Sequence, residues 1–318
     1  MRPFSRSYLG VNYELRPAKQ VERRMIVDAL HLLSLEGFQI RDYQYTGMGS
    51  IYFVDFIMFH RLLGIHRMLS VEGDRRISRR VQFNRPFNCV NVVMKKAGDV
   101  IADRRLLPSD LKHLVWLDYD EKLGTSQLAD ANLAASSLPR ESILLVTVDV
   151  DPPGPEKDGP ADWHDYFRDI SGDLFDPALT LEDFAEGKLA RVSGRLLHRA
   201  IDAGLSTRTH VEFIPLFSFD YADTHRMITV GGMIGASEER RRIRASGLTE
   251  TKYYRPGRNQ APCRIEVPQL TRKERIWLDQ HMPCAPGWSL DEFELRREDL
   301  NAYRDVYRYL PAYAELLL

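Results

Sequence analysis

The sequence predicts an α/β fold built on a mostly parallel central sheet. Strand-like and helix-like patterns alternate from residue 38 to residue 149, which is the order that produces parallel strands. The strand segments are nearly continuous apolar runs, as expected when helices cover both faces of a sheet. Two further runs, His210–Leu216 and Arg226–Ile234, are separated by a short polar segment and therefore suit a terminal antiparallel pair.

The first element is a helix from Pro17 to Glu36. Proline suits the first helical position, apolar residues recur at helical spacing, and Gly37 can end the helix. In the elements that follow, short apolar runs predict strands and longer segments with apolar residues at helical period predict helices. The strands are 38–45, 67–72, 90–94, 113–118 and 142–149, and the helices are 50–63, about 75–83, about 121–135 and about 189–203.

A long acidic segment, residues 151–188, interrupts this alternation. It is punctuated by proline and glycine, and residues 151–186 contain eleven acidic and two basic side chains. Long loops of this kind are usually lids, binding loops or mobile segments. Its aromatic residues Trp163, Tyr166 and Phe167 could close over a substrate or anchor the segment to its own domain, and His164 is a candidate general base only by analogy.

The composition argues against several classes of protein. The 318 residues carry a net charge of −1 at pH 7, so no overall attraction to nucleic acid or membranes follows. No apolar run approaches the roughly 18 residues of a membrane span, and the N-terminus lacks the apolar core of a signal peptide. The three cysteines, Cys89, Cys263 and Cys284, are far apart, which indicates reduced thiols in a cytoplasmic protein.

The most informative motif is the segment Tyr45–Ser50, which reads YTGMGS between a predicted strand and a predicted helix. A strand that breaks on such a turn and reopens as a helix leaves backbone N–H groups pointing into a crevice, and Gly47 and Gly49 let a ligand approach where a Cβ would collide. Glu72 ends the next strand, where an acid can hold ribose hydroxyls. With Gly98-Asp99 after the third strand, the motifs predict a nucleoside-containing ligand at this edge of the sheet.

This order of elements and motifs resembles the class I S-adenosylmethionine-dependent methyltransferase fold over about residues 15–235. The resemblance implies an α/β, Rossmann-like, seven-stranded, mostly parallel sheet with a terminal antiparallel hairpin, and S-adenosylmethionine as the cofactor. The stretches TGMGSIYFVDF and VPQLTRKER further resemble a bacterial family of poorly characterised O-methyltransferases. We therefore predict a methyltransferase-like domain at 1–235 and a small, α-rich C-terminal appendage at 236–318.

The same resemblance implies roles for individual residues. Asp118, Tyr119 and Asp120 fall where methyltransferases commonly carry substrate-side and catalytic residues, at the carboxyl end of strand four, and Asp118 is also expected to face the cofactor. The other cofactor-binding residues that the resemblance implies are Thr46, Gly47, Met48, Gly49 and Ser50 under the methionine part, Glu72 at the ribose and Asp99 at the adenine amino group.

The motif departs from the usual methyltransferase pattern. Glycine turns of the family often begin with an acid on strand one, whereas Tyr45 stands two positions before Gly47 here, and the first acid after the turn is Asp55, inside the predicted helix. The sequence therefore does not identify the residues that would orient the amino group of the cofactor. The Asn-Pro-Pro-Tyr type motif of amino-group DNA methyltransferases is absent, and both Pro-Cys pairs lie in the predicted appendage, far from the sheet in sequence.

The acidic residues at the strand ends also have simpler roles. Asp120 could cap the next helix, since Asp is a favoured N-cap. Asp149 and Asp151 end strand five beside the same crevice and could join Asp118 and Asp120 around a magnesium or calcium ion. Because sequence spacing alone cannot place these oxygens together, we predict no metal.

A basic segment, residues 238–258, supports an alternative function. Arg240, Arg241, Arg242, Lys252 and Arg255 could contact the phosphates of a nucleic acid, with neighbouring tyrosines stacking on bases, although solvated helix faces and ion pairs are the simpler explanation.

A second alternative is a nicotinamide-dependent oxidoreductase, because a Gly-x-Gly turn followed by an acid serves both nicotinamide and S-adenosylmethionine cofactors. A third is a non-catalytic partner protein on a methyltransferase-like scaffold. Our prediction is a cytoplasmic S-adenosylmethionine-dependent methyltransferase that acts on an oxygen nucleophile of an unidentified acceptor.

Overall fold

The structure is a computed structural model that describes residues 15–152, 159–185, 187–285 and 287–311. The described residues contain one eight-stranded sheet, made of β1 (Gln44–Gly47), β2 (Arg67–Val71), β3 (Val90–Val93), β4 (His113–Lys122), β5 (Ile143–Asp149), β6 (Glu212–Ala222), β7 (Arg226–Gly235) and β8 (Cys263–Ile265). In space the strands follow the order β3-β2-β1-β4-β5-β7-β6-β8.

This strand order confirms the predicted Rossmann-like methyltransferase fold. The pairs β1–β2, β1–β4, β2–β3 and β4–β5 are parallel, and β7 runs antiparallel between β5 and β6 as the predicted terminal hairpin. The eighth strand, β8, extends the implied seven by pairing parallel to β6 at the edge. Because the strand order reverses between β1 and β4, a crevice opens beyond their carboxyl ends.

Helices cover both faces of the sheet. Along β4, Leu114 and Trp116 belong to one apolar cluster, while Val115 and Leu117 belong to a second cluster on the opposite face. None of the helices in the described ranges combines the length and the apolarity that a membrane crossing requires. The helices are α1 (Pro17–Leu35), α2 (Val54–Leu63), α3 (Ser78–Asn84), α4 (Ala97–Ala102), α5 (Thr125–Ser137), α6 (Pro160–Ser171), α7 (Leu189–Leu205), α8 (Ser237–Ala245), α9 (Arg272–Gln280) and α10 (Arg297–Val306).

The first strand starts later than predicted. β1 begins at Gln44 rather than at residue 38, because residues 40–42 form a 3-10 turn. The apolar residues in and beside this turn are nevertheless buried, and their spacing resembles that of a strand. They are Phe38, Ile40 and Tyr43.

The fourth strand is longer than predicted. It continues past Asp118 to Lys122, so Asp120 lies within a strand. The helix that follows, α5, begins at Thr125 and has Gly124 at its N-cap. The alternative in which Asp120 caps this helix is therefore wrong.

The acidic segment contains α6, whose aromatic residues face the domain. Trp163 and Phe167 are 6% and 4% exposed and belong to the second apolar cluster. The hydroxyl of Tyr166 donates a hydrogen bond to the carbonyl oxygen of Leu123 at 2.7 Å. These contacts anchor α6 to the sheet domain. Residues 153–158 and 186 of the predicted insertion lie outside the described residues.

The C-terminal segment contributes to the same core. It supplies β8, and Ile243, Leu248, Tyr253 and Tyr303 belong to the first apolar cluster. The helices α8, α9 and α10 also come from this segment. The division into a domain at 1–235 and an appendage at 236–318 stays a prediction.

Candidate active site

A cleft with a cavity volume of about 360 Å³ lies at the carboxyl ends of β1, β2 and β4. Its walls come from the turn after β1, the start of α2, the ends of β2 and β4, the segment after β3, the start of α5 and one side chain of α1. The sheet topology therefore brings segments that are distant in sequence into one cavity. The predicted site residues that line it are Met48, Gly49, Ser50, Glu72, Asp118, Tyr119 and Asp120.

The turn after β1 requires glycine at both predicted positions. A Cβ on Gly47 would overlap the hydroxyl of Tyr45, and a Cβ on Gly49 would lie 2.7 Å from Cδ1 of Phe53. Ser50 and Phe53 have φ angles of 49° and 51°, a conformation that L-residues rarely adopt. Packing therefore holds this backbone in a strained, defined shape beside the cleft.

Glu72 follows β2 directly and places its carboxylate in the cleft. Its Oε1 accepts a hydrogen bond from the backbone N–H of Asp74 at 2.7 Å. Burial raises the pKa of Glu72, and the negative charges of Asp74 and Asp120 add to this, while backbone N–H groups of Gly73 and Asp74 act in the opposite direction. A half-buried carboxylate at this strand end is suited to accept hydrogen bonds from sugar hydroxyls.

Asp118 is held by a buried lysine of α1. Nζ of Lys19 donates hydrogen bonds to Oδ1 of Asp118 at 2.8 Å and to the hydroxyl of Tyr221 at 2.9 Å, and it lies 2.9 Å from Oε2 of Glu22. Burial alone would raise the pKa of Asp118, but the charge and hydrogen bond of Lys19 outweigh burial and lower that pKa. Asp118 is therefore a carboxylate with a fixed position and a persistent negative charge.

The other two residues of the strand-four motif also face the cleft. The hydroxyl of Tyr119 donates to Oδ2 of Asp130 at 2.6 Å, which fixes the tyrosine ring. Burial, followed by the charge of Asp130, raises the pKa of Tyr119 well above its usual value, so the hydroxyl stays protonated. Asp120 lies two positions after Asp118, and residues at that spacing point to the same side of a strand.

Several charged cleft residues are outside the predicted site, among them Arg23 of α1, Asp55 of α2, Lys95 after β3 and Asp130 of α5. A signal for Arg23 exists in the sequence. Lys19 and Arg23 are four residues apart within the apolar stripe of α1, and both are buried. Cations on the core-facing stripe of a helix need buried partners or a ligand. This pattern could have pointed to α1 as part of the site.

Three residues predicted to bind the cofactor do not line the cleft. Thr46 and Gly47 lie inside β1, where Thr46 is 2% exposed and its hydroxyl accepts a hydrogen bond from Nε2 of Gln44 at 3.4 Å. Asp99 is exposed on α4, and residues 95–97 form that wall of the cleft instead. The geometry gives no support to ligand contact by the side chains of Thr46 and Asp99.

The carboxylates at the end of β5 form a separate group. Asp149, Asp151 and His225 have ligand atoms within 4.8 Å of one another, and no residue of Asp118–Asp120 belongs to this group. Nζ of Lys122 lies 3.5 Å from Oδ2 of Asp149, and Nδ1 of His225 lies 2.9 Å from Oδ2 of Asp151. The four-carboxylate cation site considered from the sequence is therefore not assembled in the described residues.

Most of the cations considered for nucleic-acid binding contact acids or carbonyls of this chain. Arg241 is exposed. The contacts of the others are Arg240 with Glu212 at 2.8 Å, Arg242 with Glu141 at 2.7 Å, Lys252 with Asp305 at 2.5 Å and Arg255 with the carbonyl oxygen of Ala261 at 3.1 Å. These three ion pairs, the hydrogen bond of Arg255 and the exposure of Arg241 match the simpler explanation of the basic segment.

Comparison with known families identifies one match. A family model described as "Putative O-methyltransferase" matches residues 11–318. No curated protein matches the chain in sequence.

Several solved structures resemble the chain at low identity. Trm1 from Pyrococcus horikoshii, in complex with S-adenosyl-L-methionine, is 14% identical over 70% of this chain and 57% of its own, with a TM-score of 0.43. The O-methyltransferase from Bacillus cereus, in complex with SAH, is 12% identical over 65% of this chain and 80% of its own, with a TM-score of 0.36. TomG from Streptomyces achromogenes, an O-methyltransferase in complex with SAM, is 14% identical over 72% of this chain and 94% of its own, with a TM-score of 0.36. TM-scores this low carry no argument about the site.

Proposed function

The chain belongs to the family described as "Putative O-methyltransferase", and we propose that it uses its cleft to transfer a methyl group from S-adenosylmethionine to an oxygen nucleophile held at the end of β4. The membership makes the protein an S-adenosylmethionine-dependent methyltransferase with a methyl acceptor, and it argues against the nicotinamide alternative. The observation that carries the residue assignments is that a single cavity joins the glycine turn, Glu72 and Asp118.

The residues of the cleft fit this cofactor. Gly49 lets the turn pack closely against Phe53 and Ser70, which fixes the backbone that borders the cleft. Glu72 offers a carboxylate to the ribose hydroxyls. Val71, Ile77 and Ala97 provide an apolar wall between the second and third strands, which suits an adenine ring.

The protein's contribution to the reaction is alignment and charge. When bound, the cofactor supplies a methyl group on a sulfonium sulfur, and holding the acceptor oxygen in line with that methyl group accounts for much of the rate. Asp118 is a weak base because Lys19 lowers its pKa, so it acts as a fixed negative charge that orients the acceptor. We assign proton removal to Asp120, and the immobilised ring of Tyr119 provides a face on which a planar acceptor stacks.

Calorimetric titration tests the cofactor assignment. The unaltered protein should bind S-adenosylmethionine and S-adenosylhomocysteine and should not bind NAD. Glu72→Gln removes the charge of the ribose acceptor, so it should weaken both adenosyl ligands by about tenfold or more. Binding of NAD, or of neither adenosyl ligand, would refute the proposal.

Methyl transfer tests the oxygen assignment. Labelled S-adenosylmethionine, offered with panels of phenols, carboxylic acids and amines, should label an oxygen, and alkali then separates methyl esters from stable ethers. Asp120→Asn should lower kcat and leave S-adenosylhomocysteine affinity unchanged. Label on nitrogen, or normal turnover by Asp120→Asn, would contradict this part of the proposal.

A further inference from the structure

Arg23 lines the cleft, and two of its guanidinium nitrogens have no hydrogen-bond partner among the described residues. The residue is 3% exposed, lies on α1 and lines the cavity. Its Nε and Nη1 atoms are buried and have no hydrogen-bond partner among the described residues. Buried guanidinium groups are normally paired, because leaving their donors unsatisfied is costly. A ligand with an anionic group would satisfy them.

A carboxylate of opposite charge lies on the same wall. Asp55, in the first turn of α2, is 8% exposed and lines the cavity with Arg23. The hydroxyl of Tyr45 donates a hydrogen bond to Oδ2 of Asp55. This bond depends on Gly47, because a side chain there would occupy the space of the Tyr45 ring.

The charges of these groups are coupled. Burial raises the pKa of Asp55, while the cation of Arg23 and the hydrogen bond from Tyr45 act to lower it. Burial also raises the pKa of Tyr45 well above its usual value, so Tyr45 remains the donor in this bond. Arg23 also acts to lower the pKa of Asp118. The Arg23 guanidinium therefore interacts electrostatically with both carboxylates, and all three residues line the same cleft.

We infer that Arg23 and Asp55 bind the zwitterionic α-amino-acid end of the cofactor, with the Arg23 guanidinium on its carboxylate and the Asp55 carboxylate on its ammonium group. This inference rests on the proposed function. Asp55, fixed by Tyr45, takes the role of the acid that is missing from strand one. The cation comes from α1, which precedes the sheet in sequence, so the first helix is part of the binding site.

Two ligands that differ only at this end provide the test. S-adenosylhomocysteine carries the amino-acid group, and 5′-methylthioadenosine has the same adenosine and thioether without it. Arg23→Met should weaken S-adenosylhomocysteine by about 10- to 100-fold, as expected for charge-assisted hydrogen bonds, and leave 5′-methylthioadenosine within about threefold of the unaltered protein. Asp55→Asn keeps an acceptor for Tyr45 and should show the same selective loss.

The matched control is Arg24→Met. Arg24 is the next residue on α1, but its Nη1 donates to the carbonyl oxygen of Leu310 at 3.2 Å and it does not line the cleft. This variant should bind both ligands normally. Arg23→Lys retains a cation in a different geometry, so it should cause an intermediate loss of affinity for S-adenosylhomocysteine and none for 5′-methylthioadenosine. This variant keeps the test usable if Arg23→Met folds poorly.

Three outcomes overturn the inference. Equal losses for the two ligands would mean that Arg23 only shapes the cavity. Unchanged affinity for both would reassign the guanidinium to an acidic methyl acceptor. If the unaltered protein binds neither ligand, the proposed function fails together with the inference, and that result needs no variant to be recognised.

Discussion

The Lys19 ammonium connects α1 to the end of β4 through a 2.8 Å hydrogen bond to Oδ1 of Asp118. The lysine side chain is 0% exposed, and its Nζ lies 4.4 Å from the centroid of the Trp116 ring. The residue that positions the candidate acceptor-binding carboxylate therefore also holds the helix that carries Arg23. The charge of the site and the docking of α1 depend on the same buried contact.

Replacing Lys19 with methionine should destabilise the fold. Asp118 and Glu22 would remain as buried acids without their shared cation, and removing one partner of a buried ion pair typically costs about 3–5 kcal/mol. Urea unfolding measures the change. Lys252→Met is the matched control, because its pair with Asp305 is exposed and should contribute less than about 1 kcal/mol. Similar losses in the two variants would contradict a structural role for Lys19.

The lowered pKa of Asp118 predicts a pH-dependent part of the stability. A carboxyl whose pKa is lower in the folded than in the unfolded state stabilises the fold above the unfolded pKa of about 3.9, and this contribution disappears as the pH falls through the folded pKa. The difference in unfolding free energy between the unaltered protein and Asp118→Asn should therefore be largest near neutral pH and should shrink below about pH 4. Urea titrations across this range test it, and a constant difference would argue against an ionised Asp118.

Glu72 should make ligand binding pH-dependent in a different range. Burial raises its pKa, so its carboxylate protonates at a higher pH than an exposed glutamate, whose pKa is about 4.3. A protonated carboxyl is a poorer acceptor for two ribose hydroxyls, and affinity for S-adenosylhomocysteine should fall as the pH drops through that raised pKa. Calorimetry with Glu72→Gln should show weak binding without this pH-dependent decline. An identical slope in the variant would assign the titration to another group.

The strand ends of this site could be predicted from sequence, because an apolar run that stops at a charged residue marks the carboxyl edge of a parallel sheet. This pattern predicts Glu72 and Asp118, the Gly-x-Gly turn predicts Gly49, and all three line the cleft. Asp99 illustrates where the reasoning fails. β3 ends at Val93 and residues 95–97 form the wall of the cleft, whereas Asp99 lies just beyond them in the first turn of α4 and is exposed.

The contributions of α1 and α2 could not be predicted in the same way. Lys19 and Arg23 are charged residues on a helix, and charged helical residues are most often solvent-exposed. Their burial follows from tertiary packing of α1 against the sheet, and their position on the apolar stripe of the helix is a weaker signal than an apolar run that ends on an acid. Asp55 is similar, because its role depends on the ring of Tyr45 passing beside Gly47 to reach it.

Gly49→Ala should damage both the fold and the binding of the cofactor. The new Cβ would lie 2.7 Å from Cδ1 of Phe53 and 2.7 Å from Oγ of Ser70, and both residues are buried and cannot move freely. Overpacking of this kind costs about 1–3 kcal/mol. Gly194→Ala is the control: the nearest atom, Cγ2 of Val230, would be 3.7 Å away, and alanine in a helix interior should stabilise by about 0.5–1 kcal/mol.

Urea unfolding should therefore give shifts of opposite sign for Gly49→Ala and Gly194→Ala. Calorimetry should show weakened S-adenosylhomocysteine binding only for the first, because the same Cβ displaces the turn that borders the cleft. If Gly49→Ala were stable and bound the ligand normally, the turn would have to tolerate a side chain. The close approach of Phe53 and Ser70 would then not explain why glycine occupies this position.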